Sequence, residues 1–283
     1  MTHRKASTDS TCHPLRELPE LARTIPATRR ELAEATCTAR ALNVTRGRWK
    51  QPAVDLPEGA GLLVLEGLLL RQVIVEGRSG AELLGTGDVL RPWEHGAPAK
   101  LRQATAWRAL QITRLAVLDD RAAERLAQHP EIMRELLERS LERSRRLAVN
   151  IAIVHHPRVD IRLQMLFWHL ADRWGQVRNG QTILPLRLTH SVLADLIAAQ
   201  RPTVSTALAD LVNREIVRPA QVGWRLLVPP PAGRLASDQP APSKRRRPTR
   251  PDPGGDRIPN PTHRQVRSPR APRGGRGVSA QPG

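Results

Sequence analysis

The chain of 283 residues has only two cysteines, Cys12 and Cys37, too few for a disulfide framework or a four-thiolate iron–sulfur centre, so both read as plain thiols. Long apolar runs are missing too. None approaches the roughly 18 residues that cross a bilayer. The opening Met1-Thr2-His3-Arg4-Lys5 is not followed by the apolar core of a secretory signal, so a cytoplasmic location without a membrane partner is expected. Catalytic signatures are absent: there is no Gly-x-Ser-x-Gly elbow, no P-loop, no His-Glu-x-x-His and no paired-cysteine motif. His155 and His156 are neighbours, which on a helix face different sides and do not chelate one metal. An enzyme is therefore not expected, nor a metal or other cofactor.

Positive charge is what the chain has in excess. Its 45 Lys and Arg against 27 Asp and Glu give a formal net charge of +18, which favours polyanionic partners. About half of that excess lies between Ala232 and Gly283, where 12 basic residues oppose three Asp among ten prolines. Nothing after Trp224 is aromatic, and Leu235, Ile258, Val266 and Val278 are scattered singly. Such a composition cannot bury enough apolar surface to fold, so residues 230–283 read as a disordered basic tail. Its Arg245-Arg246-Arg247 run would add non-specific phosphate contacts or simply keep the chain in solution.

Residues 1–41 mix charge, proline and threonine with short apolar stretches and suggest a loosely attached, partly disordered lead-in. Over 42–120 the pattern becomes short apolar runs punctuated by glycine: Gly61-Leu-Leu-Val-Leu-Glu-Gly67, Leu68-Leu-Leu-Arg-Gln-Val-Ile-Val75, Ala81-Glu-Leu-Leu84 and Gly85-Thr-Gly-Asp-Val-Leu90. Helices do not tolerate glycine at this density, so the segment describes an antiparallel barrel or sandwich. A long helix is expected over 121–156. Along it Met133, Leu137, Ser140, Ser144, Leu147, Ile151 and Val154 recur at alternating spacings of four and three, the a/d seam of a coiled coil. Charged residues flank this seam, so burial against its own copy in a homodimer is expected, with packing onto the barrel as the alternative.

Residues 157–229 read as a further domain. A core helix from Arg158 to Trp174 shows Ile161, Met165, Trp168 and Ala171 on one side, widened by Leu163, Leu166, Phe167 and Leu170. Asn179-Gly180 signals a type I′ hairpin. Thr189 then caps a helix buried through Leu193, Ala194, Leu196 and Ile197. A second helix starts at Gln200-Arg-Pro-Thr-Val-Ser-Thr206, with Pro202 tolerated in its first turn. Its outward face offers Gln200, Arg201, Thr203, Ser205 and Thr206. Small hydroxyls let a helix approach base edges, and an arginine can fork onto guanine or phosphate. Val217-Arg218-Pro219 and Trp224-Arg-Leu-Leu-Val228 complete a β-hairpin, so the whole is a winged helix-turn-helix.

In this order of parts, and above all in Leu188-Thr-His-Ser-Val-Leu-Ala-Asp-Leu-Ile197 and Arg201-Pro-Thr-Val-Ser-Thr-Ala-Leu208, the chain resembles the cyclic-AMP receptor protein and fumarate–nitrate regulator family of bacterial transcription regulators. The resemblance implies an α+β architecture with a cyclic-nucleotide-binding-like jelly-roll barrel, a dimerisation helix and a winged helix-turn-helix. It implies a homodimer that binds double-stranded DNA and regulates transcription, with RNA polymerase a candidate partner and a small-molecule effector of unknown identity. Arg201 falls on the family's first base-contacting arginine, and Thr189, Thr203 and Ser205 on backbone- or groove-facing positions. Pro202 replaces a frequent Glu and Thr206 a frequent Arg, so the operator should differ from the familiar one. After Gly87-Asp88 the barrel reads Val89-Leu-Arg-Pro-Trp-Glu94, without the Gly-Glu and Arg-Ser or Arg-Thr pairs that hold ribose and phosphate, so cyclic AMP is not the expected ligand. Arg102, Ser140 and Ser144 remain as effector candidates, although the serines read first as residues that loosen or register the coiled coil. Trp93 and Trp107 read as barrel core rather than ligand walls. Two rival readings stay open: non-specific nucleic-acid binding driven by the tail, and a barrel enzyme built on Glu66, Glu76, Glu82, Asp88 and His95.

Overall fold

The computed structural model describes residues 10–50, 59–92 and 101–231. The first nine residues, the tail from 232, and Trp93, Glu94 and His95 lie outside the described residues.

Strand β1 (Ser10–Cys12), helix α1 (Pro14–Glu17), a 3₁₀ turn (Pro19–Ala22) and helix α2 (Ala27–Thr36) lead into β2 (Ala39–Val44) and β3 (Gly47–Trp49). Then follow β4 (Gly59–Glu66), β5 (Leu68–Val75), β6 (Arg78–Gly85), β7 (Val89–Leu90), β8 (Gln103–Ala109) and β9 (Thr113–Asp119). Two antiparallel sheets result, ordered β1-β2-β9-β4-β7 and β3-β8-β5-β6. Leu42, Leu62, Val64, Leu115 and Val117 of the first sheet meet Trp49, Leu69, Leu84, Trp107 and Ala109 of the second between the layers. Trp107 is core, as expected, and stands edge-on to Trp49 at 5.9 Å between ring centroids.

The apolar runs within β4 and β5 are continuous rather than alternating because both faces of each sheet are covered. Leu63 and Leu65 point out of the sandwich onto Leu15, Leu18, Leu21, Ile25 and Ala33 of the N-terminal segment. This corrects the expectation of a loosely attached lead-in for residues 10–41, which bury their leucines against the first sheet. The outer face of the second sheet, through Leu68, Leu70 and Leu83, packs on the C-terminal helices.

Burial also governs the two thiols. Burial, reinforced by Glu17, pushes the Cys12 thiol up to about 11, and burial raises Cys37 as well. At neutral pH both are protonated and enclosed, so alkylation of the native protein by iodoacetamide is expected to be at least tenfold slower than alkylation of the urea-unfolded chain. Equal labelling rates would contradict this packing.

Asp119 caps α3 (Asp120–Ala127) by accepting from the Ala122 amide at 3.0 Å. The helix expected over 121–156 is in fact two, because the chain breaks at Gln128-His129 and restarts as α4 (Pro130–His155) with proline in its first turn. None of the described helices is long and apolar enough to cross a membrane.

Helix α5 (Val159–Trp174) buries Leu163, Leu166, Phe167 and Leu170, whereas Ile161, Met165, Trp168 and Ala171 are only half-buried, so the widening residues form its true inner face. Strands β10 (Gln176–Arg178) and β11 (Gln181–Leu184) pair across Asn179 (φ 49°) and Gly180 (φ 74°), the two left-handed residues of a type I′ turn. Helices α6 (His190–Leu196) and α7 (Arg201–Asn213) follow, then β12 (Val217–Pro219) and β13 (Trp224–Leu226) in a sheet ordered β10-β11-β13-β12. At the wing turn Gly223 (φ 77°) lies so close to β11 that a Cβ would fall 1.9 Å from the Leu184 carbonyl, so only glycine fits.

Candidate nucleic-acid interface

Helix α6 begins where the sequence places it. Thr189 sits in extended backbone and its hydroxyl accepts from the Val192 amide at 3.3 Å, satisfying one of the unpaired donors of the first turn. Thr189→Ala should lower unfolding free energy by about 1 kcal/mol, read as a shift of the urea midpoint, whereas Thr189→Ser should restore it. No shift would show that the cap is idle.

Val192, Leu193, Leu196 and Ile197 then bury one face of α6. Ala198 turns the chain in the left-handed region (φ 50°), and Gln200 leads into α7. Val204, Leu208 and Leu211 fix α7 in the same core as Phe167 of α5. The first turn of α7 is left facing solvent: Gln200, Arg201, Pro202, Thr203 and Thr206 are exposed. Arg201 makes no ion pair among the described residues and shares an open hollow of about 480 Å³ with Thr189, His190 and Ser191. An unpaired guanidinium at the positive end of a helix dipole, beside the hydroxyls of Thr189 and Ser191, is suited to phosphate or to the acceptor edge of guanine.

Ser205 departs from its expected role. It is half-buried, donates to the Arg201 carbonyl at 3.1 Å and lies 2.8 Å from His190 Nδ1, so it ties α7 to α6. Thr206 stays exposed while its hydroxyl donates back to the Pro202 carbonyl at 3.3 Å. The structure thus brings Thr189 and Arg201 to one hollow, leaves Gln200, Thr203 and Thr206 exposed on the early part of α7, and turns Ser205 inward.

The effector candidates are not gathered in this way. Arg102 stands exposed just before β8, and Ser140 and Ser144 lie on the exposed side of α4. The α4-facing end of the barrel is instead filled by charges the sequence did not single out as a cluster. Glu82, paired across the strands with Arg71 and on the same face as Leu84, receives Arg143 of α4 in a two-pronged contact of 2.6 and 3.0 Å and Arg71 at 3.2 Å. Arg143 also donates to the Val89 carbonyl. Nearby, Asp88 accepts from the Gly85 amide at 2.8 Å and from Arg173 of α5 at 2.7 Å, with Arg146 of α4 at 3.5 Å. Burial, together with Arg173, lowers the Arg146 pKa from its usual value. The visible signal was polarity inside apolar runs: Arg71 and Glu82 break otherwise apolar strand faces at matching positions.

The seam of α4 is partly shifted. Met133, Leu137, Ser140, Ser144 and Ile151 are exposed, but Leu147 and Val154 are half-buried, and Leu141, Ala148 and Ala152 take part in the outward face. Five large apolar side chains of α4 are exposed, Met133, Leu137, Leu141, Val149 and Ile151, at 45, 59, 49, 48 and 59 %, and all but Val149 lie along one stripe. On the barrel side, Glu82 and Asp88 engage arginines that the sequence had assigned to solvated flanks.

Residues 161–233 match the Crp-like helix-turn-helix domain family. Over 105 residues the chain is 36% identical to the CRP-like cAMP-activated global transcriptional regulator of two strains of Mycobacterium tuberculosis. That match covers 36% of this chain and 47% of the relative, so the chain spans about half the length of the curated relatives it matches. Among solved structures, a CooA mutant from Carboxydothermus hydrogenoformans aligns with a TM-score of 0.54 over 74% of this chain and 90% of its own, at 16% identity. A cyclic nucleotide-binding domain containing protein from Listeria monocytogenes aligns at 0.53 over 66% and 87%, also at 16% identity. At such identity the likeness is one of fold alone.

Proposed function

We propose, for a chain whose residues 161–233 are a Crp-like helix-turn-helix domain, that it is a homodimeric, sequence-specific DNA-binding regulator of transcription. The observation that carries this is the unpaired Arg201 at the exposed start of α7, set beside the Thr189 cap in a domain of that family. Arg201, with Gln200, Thr203 and Thr206, reads base edges in the major groove, while Thr189 and the first amides of α6 and α7 hold phosphates.

Dimerisation runs through the outward face of α4. A stripe of Met133, Leu137, Leu141 and Ile151 is too apolar to stand in water along so much of one helix, and its self-complementary geometry suits a two-fold partner. Residues 42–120 serve as the sensing or scaffolding domain, 121–156 as the connecting helices and 157–229 as the reader. Activation by cyclic AMP, which the Mycobacterium tuberculosis relative carries in its name, does not extend to this chain. The Glu82–Arg143 pair already closes the barrel end next to α4, and the stretch after Asp88 reads Val-Leu-Arg-Pro rather than Gly-Glu. The Asp88 cluster joins barrel, α4 and α5, so a signal felt by the barrel reaches the reader through ion pairs that either hold or break.

Selection of bound fragments from random double-stranded DNA tests the reading. Enrichment of an inverted repeat with half-sites about 10 base pairs apart is expected. Recovery of unrelated fragments at the same yield would overturn it.

A further inference from the structure

The winged domain is not the only basic surface on its side of the molecule. In the turn between β2 and β3, Arg46 lines a shallow groove with Arg187, Leu188, Thr189 and Trp224 of the reader domain. Thr189 also belongs to the hollow that holds Arg201, so the two depressions adjoin at that residue. Arg48 follows on edge strand β3, aligned with Arg108 of β8, which lies opposite Leu70 of β5, itself opposite Leu83 of β6. This cross-strand row is the outer face of the second sheet. Leu70 and Leu83 are covered by the reader domain, and Arg108 reaches Asp195 of α6 at 3.4 Å. Arg48, one strand further out, is exposed beside that contact.

Arg46, Arg48 and Arg187 are all exposed and have no carboxylate partner among the described residues. Exposed arginines usually find carboxylates when acidic residues are near, as Arg114 does with Glu17 and Arg158 with Asp160. Arg46 and Arg187 at the start of α6, with Arg48 two residues further along the same strand edge, make a patch of single sign that attracts anions. The shared core and the Arg108–Asp195 pair hold the barrel turn in place against α6, so the patch is a fixed feature of one unit.

We propose that the barrel itself is part of the DNA interface: Arg46 and Arg48, with Arg187 between them and the reader, take the phosphates of duplex flanking each half-site on the Thr189 side. This rests on the DNA-binding reading of α7 and extends it. The contacts are to the backbone, so they lengthen the footprint and raise affinity without adding sequence preference. DNA carrying only the two half-sites is then a poorer ligand than the same repeat with natural flanks.

The test compares the full-length wild type, an Arg46→Ala/Arg48→Ala double variant and Arg201→Ala on the selected repeat, with flanks of about one helical turn and with flanks trimmed away. Because Arg46 and Arg48 are exposed and unpaired, the double variant should melt at the wild-type temperature. Its salt slope on long DNA should fall by roughly 2–4 for a dimer, from about 0.9 per lost phosphate contact. Its preference for the repeat over scrambled DNA should be unchanged, and on trimmed DNA it should equal the wild type. An unchanged slope on long DNA, with Arg201→Ala still abolishing preference, would overturn the barrel contact and leave the reader intact. If the wild type itself shows no preference and Arg201→Ala changes nothing, the DNA-binding reading falls and this inference with it.

Discussion

Arg201→Ala is expected to remove most of the discrimination between operator and random DNA while leaving the fold untouched. The side chain is exposed, at the first position of α7, and has no ion pair to lose among the described residues. A bidentate arginine–guanine contact is worth about 1–3 kcal/mol, so two of them in a dimer amount to roughly 2–6 kcal/mol, a loss of about 30-fold to 10⁴-fold in specific affinity. Fluorescence anisotropy on operator and scrambled duplexes separates this from a general weakening. Loss confined to the operator marks a base contact, and equal loss on both marks a phosphate contact with a shallower salt dependence. Arg201→Lys should behave much like the alanine variant towards a base, because an ammonium cannot form the planar fork. Unchanged affinity for both duplexes would remove Arg201 from the interface.

Leu137→Glu combined with Ile151→Glu should convert the protein to monomers. Both side chains are more than half exposed in the single chain, on the same side of α4, so the charges cost nothing to a folded monomer but face their own copies across a two-fold axis. Sedimentation equilibrium should show the mass of one chain in place of two. A monomer grips one half-site and loses the effective concentration of a second reader, so operator affinity should fall about a hundredfold or more. A variant that remains dimeric would place the interface elsewhere on the molecule.

The reader domain was legible from the residues because each of its parts depends on local chemistry. Thr189 is a cap, Pro202 suits a first turn, Asn179-Gly180 permits only a tight hairpin, and Leu193, Leu196, Val204 and Leu208 carry helical spacing. The barrel was legible in kind but not in register: the sequence marks Ala81–Leu84 and Gly85–Leu90 as separate runs, whereas β6 is one strand from Arg78 to Gly85 that continues through Gly80. The lead-in was misread because its short helices look marginal alone. Their stability comes from Leu63 and Leu65, whose outward faces need a cover that only residues 10–41 supply. The leucine runs in β4 and β5 carried that information, since strands apolar on both faces imply two covering layers.

The Glu82, Arg71 and Arg143 cluster depends on residues 61 positions apart in the chain for its closest contact, and no local pattern predicts such a meeting. Ser205 fails for a related reason. Helical spacing puts it near the outward face, but Ser205 directly follows the buried Val204 and is itself half-buried, and its hydroxyl meets His190, a residue 15 positions away that no local pattern links to it. The seam on α4 slipped similarly: heptad spacing selects Leu147 and Val154, yet the barrel claims that side of the helix and leaves Leu141 and Ala148 facing out.

Hydroxyl-radical footprinting of the full-length protein on its selected operator examines the central geometry directly, namely two copies of the α7 start laid against one face of a duplex. Two protected tracts centred about one helical turn apart, related by the symmetry of the repeat and both lost with Arg201→Ala, are expected. A single unbroken tract, or protection that does not change when Arg201 is removed, would contradict it.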